Sequence, residues 1–486
     1  MCLNPVLASD SASAAINALV YNGLLKYDKD LNLVCDLAES FSVADDGLSI
    51  KFTLKKNILW HDGKPFTVKD VKFTFDKLIS PDTRTPFSSD YLAVKNFEIL
   101  DDYSFIVYYA YPFAPILESW CIGIIPKHIF EGQDINTSDY NRKPVGTGQY
   151  VFKKWITDQK IILQANSDYY EGKPKIKFYL FRVIPDSAVQ FLELRTQSLD
   201  ELSLLPDQWN AYDSFFENYN KYRYPSFGFT FLGFNLEKEP YNSKNFRQAI
   251  SYAIDKKDII NGVMLGMAKQ AEGIFPPQSW AYKEIKPYEY NVDKAVKLLK
   301  ETGFTKGDDG YLKYKNKTFE INIITNQGNK ARELTCQIIQ EQLKKAGIKV
   351  NIRILEWSTF INQYVNKKNF DALVLGWNTS VDPDQYLLWH SSQSNPGQYN
   401  FMSYKNKDVD ELLVKARTSF DKEKRKKYYH KIQDIMREDP PCIFLYYPEN
   451  LVCVNKRIEG VELAPAGIGW NFHRWRIGRS ATTNYS

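Results

Sequence analysis

The sequence predicts an α/β chain whose later half is built on a parallel sheet, and three observations predict it. Residues 318–324 read as a strand, and residues 330–346 then carry Leu334, Ile338, Ile339 and Leu343 on one helical stripe that stops at Gly347. Ile348, Val350, Ile352 and Ile354 alternate as a second strand, so strand, helix and strand follow one another and imply a right-handed crossover with parallel strands. After a helix candidate at 359–367, residues 372–375 form a short, wholly apolar run, which fits a parallel strand buried on both faces.

The first half reads differently, as strands and hairpins. Asp45-Asp46-Gly47 is a turn signal, because Asp bonds its own backbone and Gly accepts positive φ. Ser49–Leu54 then alternates, with Ile50, Phe52 and Leu54 on one face and Ser49, Lys51 and Thr53 on the other. His61-Asp62-Gly63-Lys64-Pro65 turns the chain again. Thr67 is placed to cap a helix with Asp70 three residues on, and Val68, Val71, Phe75 and Leu78 make its apolar stripe. Ser104–Tyr109 and 161–165 are further strands, and 144–150, PVGTGQY, is a Gly-rich turn without the Gly-Lys-Ser/Thr of a phosphate loop. Helices are expected over 246–255, 291–302 (with Asn291 as cap), 408–420 and 421–437. In the last, Lys422, Lys424, Arg425, Lys426 and Lys427 read as a solvated face.

Composition narrows the function classes. A chain of 486 residues has length for two to four domains. Its net charge of +5, set against 63 basic and 58 acidic side chains, gives no reason to invoke nucleic acid or an anionic membrane. The 15% of aromatic residues fits either an aromatic-rich core or a cleft lined with rings. No apolar run approaches the ~18 residues of a membrane helix. The opening MCLNPVLASDSAS has neither the basic region nor the long apolar core of an export signal, and no lipobox precedes Cys2. Cys2, Cys35, Cys121, Cys336, Cys442 and Cys453 are scattered without a C-x-x-C, which reads as free thiols. Cys442 and Cys453 flank an expected hairpin turn at Pro448-Glu449-Asn450.

No catalytic constellation is legible. The five histidines are dispersed, and no H-E-x-x-H or G-x-S-x-G is present. Asp28-Lys29-Asp30 and Asp308-Asp309-Gly310 lack the alternating ligands and terminal Glu of a calcium loop and read as turns. The site signal is topological. In open parallel sheets, ligands bind outside the carboxyl ends of the strands. The segment leaving that end is 376–386, GWNTSVDPDQY, where Asp-Pro-Asp is also ordinary turn chemistry.

The ordered blocks A-E-S-F…D-D-G-L…F-T-L-K-K…W-H-D-G-K-P-F-T-V-K-D-V, I-I-P-K-H-I-F, P-V-G-T-G-Q-Y, F-R-V-I-P-D, N-F-R-Q-A-I-S-Y-A-I-D-K, F-D-A-L-V-L-G-W…D-P-D, W-H-S-S-Q and Y-Y-H-K-I-Q-D-I-M run through nearly the whole chain. Together they resemble the extracytoplasmic solute-binding proteins of peptide and nickel ABC importers, family 5. The resemblance implies a two-lobed periplasmic-binding-protein-like fold (type II, cluster C). Lobe I would comprise 1–37, 145–235 and 447–486, with 38–144 as a subdomain inserted in it, and lobe II would be 236–446. The lobes would close over an oligopeptide and present it to ABC permease subunits, as a monomer, with no cofactor, no metal and no turnover. Nickel chelates, haem, opines and oligosaccharides stay open as ligands, and an enzyme or chaperone on the same shell as an alternative role. The implied location is periplasmic or cell-surface. The family's export signal and first strand are missing before Leu3-Asn4-Pro5, so the chain reads as shortened at its front end.

The implied ligand-binding residues are Tyr21 and Asn22 in the first lobe and Trp377, Asn378, Thr379, Ser380, Asp382, Tyr399, Asn400 and Phe401 in the second. Trp377, Tyr399, Phe401 and Tyr21 are the expected aromatic walls, or plain core in part. In peptide-binding relatives an Asp a few residues after G-W meets the peptide amine. Here Ser380 holds the nearer place, and Asp382 is the first carboxylate.

Overall fold

The computed structural model describes residues 1–211 and 214–478, and it divides into two compact units. The first comprises 1–184, 417–420 and the chain from Val454 on; the second comprises 185–416 and 421–453.

In the first unit the alternation of Ser49–Leu54 does what its period requires. Ile50, Phe52 and Leu54 are buried in a four-stranded antiparallel sheet ordered Ala38–Val43, Ser49–Leu54, Ser104–Tyr109, Val94–Asp101. Phe97 stacks on Phe105 with centroids 4.7 Å apart, and Trp120 meets Phe52 edge-on at 5.7 Å. The helix Val68–Ile79 buries Val71, Phe75 and Leu78. Its capping box is complete: Asp70 Oδ2 accepts from Thr67 N at 3.0 Å, and Oδ1 accepts from Lys127 N at 2.9 Å, so the cap also anchors the segment after Pro126. A three-stranded sheet of Tyr150–Ile156, Lys160–Ala165 and Phe178–Arg182 follows. The Gly-rich turn before it lies against the end of the helix Ser11–Val20 so closely that a Cβ on Gly146 would fall 1.8 Å from Val20 O.

The second unit carries the expected crossover. Glu320–Asn326 and Lys349–Leu355 pair in parallel from Glu320↔Lys349 to Asn326↔Leu355, joined by the helix Lys330–Lys345. Ala372–Asn378 joins in parallel on the other side. The sheet as a whole is mixed. Gly228–Phe234 runs antiparallel to Ala372–Asn378 and to Cys442–Asn455. Both faces are covered: Ala372 and Val374 pack with Ile339 and Leu343, while Leu373 and Leu375 pack with Val409, Tyr429 and Ile432. Each of the Leu, Ile and Val side chains among these contributes about 1.5–3 kcal/mol by burial.

Two expectations change. Pro448-Glu449-Asn450 is no hairpin turn: Cys442–Asn455 is one continuous strand, because Tyr446 to Pro448 keep partners in Ala268–Gln270. Cys442 and Cys453 therefore sit far along one strand, and all six cysteines are free. The helix expected at 359–367 is a short α turn continued as a π-helix, Phe360–Val365. The division between the two compact units falls after Ile184 and after Cys453, with 417–420 in the first. Strands 228–234 and 442–455 pair with each other, which keeps residues 185–235 with the second unit.

Candidate functional site

The parallel strands of the second unit end at Asn326 and Asn378, and the chain's chemistry collects there. Trp377 is half-buried, edge-on to Tyr399 at 5.1 Å and tilted against Phe401 at 5.8 Å. Asn378 is exposed and pairs with Gly228 across the antiparallel ladder. Thr379 fixes the exit from the strand, since its N–H and its Oγ1 both donate to Phe227 O, at 2.7 and 2.6 Å. Ser380 Oγ donates to Asp382 O at 2.8 Å and folds the loop on itself. The Asp382 carboxylate is held by Arg425, at 2.9 Å from Nη1 and 2.6 Å from Nη2.

Several of the expected ligand residues are engaged in the architecture. Asn400 is fully buried, donates to His390 O and Tyr404 O at 3.1 and 2.9 Å, and accepts from Tyr404 N at 3.0 Å. Phe401 is core, packed edge-on to Phe370. In the first unit Tyr21 is buried, with its hydroxyl 3.4 Å from Leu3 O. Asn22 donates to Asp36 at 2.9 Å and accepts from Thr147 at 3.2 Å. The strand end of the second unit thus brings together Trp377, Asn378, Tyr399 and the 379–382 loop.

Two arginines were missed. Arg425 was expected on a solvated face and is buried. Burial works against its charge, but its hydrogen bonds with Asp382 outweigh that and hold its pKa above the ordinary arginine value. Arg332 lies in the first turn of the crossover helix. Its Nη1 donates to Asn326 Oδ1 at 2.8 Å, and a Cβ built at Gly376 would come within 3.1 Å of its Nη2. Glycine at that position leaves room for the guanidinium against the strand immediately before Trp377. Burial pulls the Arg332 pKa below its ordinary value, and no carboxylate pairs with it among the described residues. One sequence signal was available: a basic residue in a helix's first turn opposes the helix dipole and so asks for a reason.

Comparison with known proteins gives this geometry a lineage. Residues 32–399 match the family model described as bacterial extracellular solute-binding proteins, family 5 middle. The oligopeptide-binding protein AppA of Bacillus subtilis (strain 168) is 34% identical, over 98% of this chain and 89% of that protein. The structure of AppA from Bacillus subtilis in complex with a nonapeptide superposes with a TM-score of 0.93 at 33% identity, covering 99% of this chain and 97% of that one. NikZ from Campylobacter jejuni in complex with Ni(L-His) gives 0.90 at 30% identity, covering 98% and 97%. No helix among the described residues is long and apolar enough to cross a membrane. With relatives at this identity along almost the whole sequence, the chain belongs to family 5 of the bacterial extracellular solute-binding proteins and has their periplasmic-binding-protein-like α/β fold.

Proposed function

We propose that this chain is the solute receptor of an ABC importer, that it captures oligopeptides bearing a free carboxyl end outside the cytoplasm, and that it hands them to a membrane permease without turnover. The observation that carries the ligand reading is Arg332. A half-buried guanidinium without a counter-charge is costly, and its place at the carboxyl ends of parallel strands is where ligands of such sheets bind. A ligand carboxylate supplies the missing charge and the matching two-pronged acceptor. Trp377 and Tyr399 beside it give a broad apolar wall, which accepts varied side chains while main-chain groups set the register. Closure of two lobes on the peptide belongs to the same proposal.

The test is a titration of one pentapeptide as free acid and as C-terminal amide. Amidation is expected to weaken binding at least tenfold, about 1.4 kcal/mol or more, and Arg332→Gln to remove the difference between the two forms. Equal affinity of acid and amide for the unaltered protein would refute Arg332 as the anion anchor. Native mass spectrometry of the freshly purified protein should find co-purified peptides.

A further inference from the structure

The three-stranded sheet of the first unit has apolar side chains on both faces, and only one face is core. On the inner face Ile161 and Leu163 are buried, and Tyr179 meets Phe181 at 4.9 Å and Phe472 at 5.0 Å, edge-on in both cases. The strand Phe178–Arg182 alternates, so Phe178, Leu180 and Arg182 point the other way and are exposed. Phe178 is 44% and Leu180 46% accessible, two places apart on a terminal strand of that sheet. Leu180 stands opposite Ile162 in the ladder, and Ile162 is only half-buried, so the apolar surface runs on to the next strand. Single exposed apolar residues need no explanation, but a contiguous group marks a surface that meets something.

The rim of this group is basic. Lys160 stands opposite Arg182, and like charges so placed repel each other. Lys154 is exposed and stands opposite Ile162 from the other side. Lys173, Lys175 and Lys177 are exposed on the way into the strand, and the Lys177 ammonium lies 5.4 Å from the Phe178 ring centroid. None of the three strands contains an Asp or a Glu. Of the acidic residues between them, Asp158 sits in the hairpin turn, Glu171 pairs with Lys26, and Asp168 accepts from Ser167 at 3.2 Å. The net charge of the whole chain hides this local excess.

Lysines on a terminal strand also guard it against pairing with another chain. That role argues against a second copy as the occupant, since two such faces repel. It leaves Phe178 and Leu180 unexplained, because a guarded edge has no use for large exposed apolar side chains. Aromatic and aliphatic groups ringed by Lys and Arg are the composition of surfaces that lie on anionic lipid. The apolar groups enter the boundary between headgroups and acyl chains, and the cations meet the phosphates.

We propose that the outer face of this sheet, centred on Phe178 and Leu180 and rimmed by Lys154, Lys160, Lys177 and Arg182, seats the protein reversibly on an anionic lipid bilayer. The inference goes beyond the solute-receptor reading and holds for any solute. Joined to that reading, it concentrates the receptor at the surface where its permease lies.

The experiment is flotation of the full chain with vesicles of phosphatidylglycerol and phosphatidylcholine in equal parts, and with vesicles of phosphatidylcholine alone. Binding to the mixed vesicles is expected to be at least about tenfold tighter. Salt at 1 M, which shortens screening to about 3 Å, is expected to remove most of that difference. Phe178→Ser combined with Leu180→Ser is expected to weaken binding to the mixed vesicles at least about tenfold. Both side chains are exposed, so circular dichroism and melting of this variant should match the unaltered protein. Lys160→Gln combined with Lys177→Gln keeps the apolar pair and is expected to weaken binding by about tenfold or more. Lys424→Gln combined with Lys427→Gln removes the same charge from the basic helix of the second unit and is expected to leave binding within about twofold. Absence of flotation, equal flotation with both kinds of vesicle, or a serine variant that floats like the unaltered protein would overturn the proposal. An equal loss from the helix pair would overturn it too, because attraction would then come from charge anywhere on the surface. Capture by soluble polyglutamate but by neither vesicle would assign the face to an acidic protein instead.

Discussion

The 379–384 loop and the end of the crossover strands each have an arginine, and the two are built to opposite specifications. Arg425 has its carboxylate, gripped through both oxygens from 43 residues away in sequence. Arg332, among the described residues, has the amide oxygen of Asn326 and no carboxylate. Arg425 is buried and Arg332 half-buried, so both bear some cost of desolvation, but among the described residues only the first is paired with a carboxylate. A complete pair acts as a clamp that sets where a loop lies. An incomplete one destabilises the empty protein, and a ligand of the right sign removes that penalty. On the proposed reading, charge completeness separates architecture from recognition more sharply than position in the sequence does.

The strongest way to break this contrast is to remove each guanidinium in turn. Arg425→Ala should cost ~3–5 kcal/mol of unfolding free energy, because Asp382 is left charged and unpaired. Arg332→Met should be neutral or slightly stabilising, since it removes an uncompensated charge, while it abolishes preference for a ligand carboxylate. Urea unfolding of both variants decides the matter; equal losses would erase the distinction.

A second expectation extends the contrast to a group that is complete only when uncharged. His61 Nδ1 accepts from Gly146 N at 3.2 Å, and its Nε2 lies 2.9 Å from Gly148 O, so the neutral ring satisfies both neighbours. Burial lowers its pKa from 6.5 to about 4. Below pH 6.5 the unfolded chain takes up a proton that the folded chain refuses until about pH 4. Stability is thus full above that window and falls as pH drops through it, by roughly 3 kcal/mol in total. Unfolding of the protein and of His61→Gln at pH 7 and pH 4.5 should show a steeper acid loss in the former; parallel profiles would contradict it.

The smallest effect concerns the apolar wall. Trp377→Ala should weaken peptide binding by ~2 kcal/mol if the half-buried ring is an anchor. Loss of stability with unchanged affinity would instead class Trp377 with its neighbour Phe401 as core.

Local patterns made much of this fold legible. The alternation of Ser49–Leu54, the Thr67 and Asp70 cap and the strand–helix–strand of 320–355 are each decided by neighbours a few residues apart. What local pattern could not supply was direction and distant pairing. Gly228–Phe234 is buried at every residue, so its sequence cannot say whether it runs parallel or antiparallel to its neighbours. Cys442–Asn455 keeps its ladder through a proline that reads as a turn. At the candidate site, the 376–386 segment was singled out by topology, whereas the internal hydrogen bonds of Asn400 and Asn22 could not be foreseen, because a polar residue reads the same in sequence whether it faces solvent or backbone. Arg425 was hidden by the lysines around it. Its spacing did carry the answer: 425, 429, 432 and 436 form the buried stripe of the helix Lys422–Glu438.

The unpaired cysteines have a practical consequence. Burial raises the pKa of every one of the six thiols, Cys336 and Cys453 to about 12 and Cys442 further still. The nucleophile in alkylation and oxidation is the thiolate, and at neutral pH almost none is present. A chain that works in oxidising surroundings can keep such thiols unreacted. A single cysteine introduced on an exposed turn would then take a maleimide dye ahead of all six, making a fluorescent reporter of solute capture without first stripping the native residues.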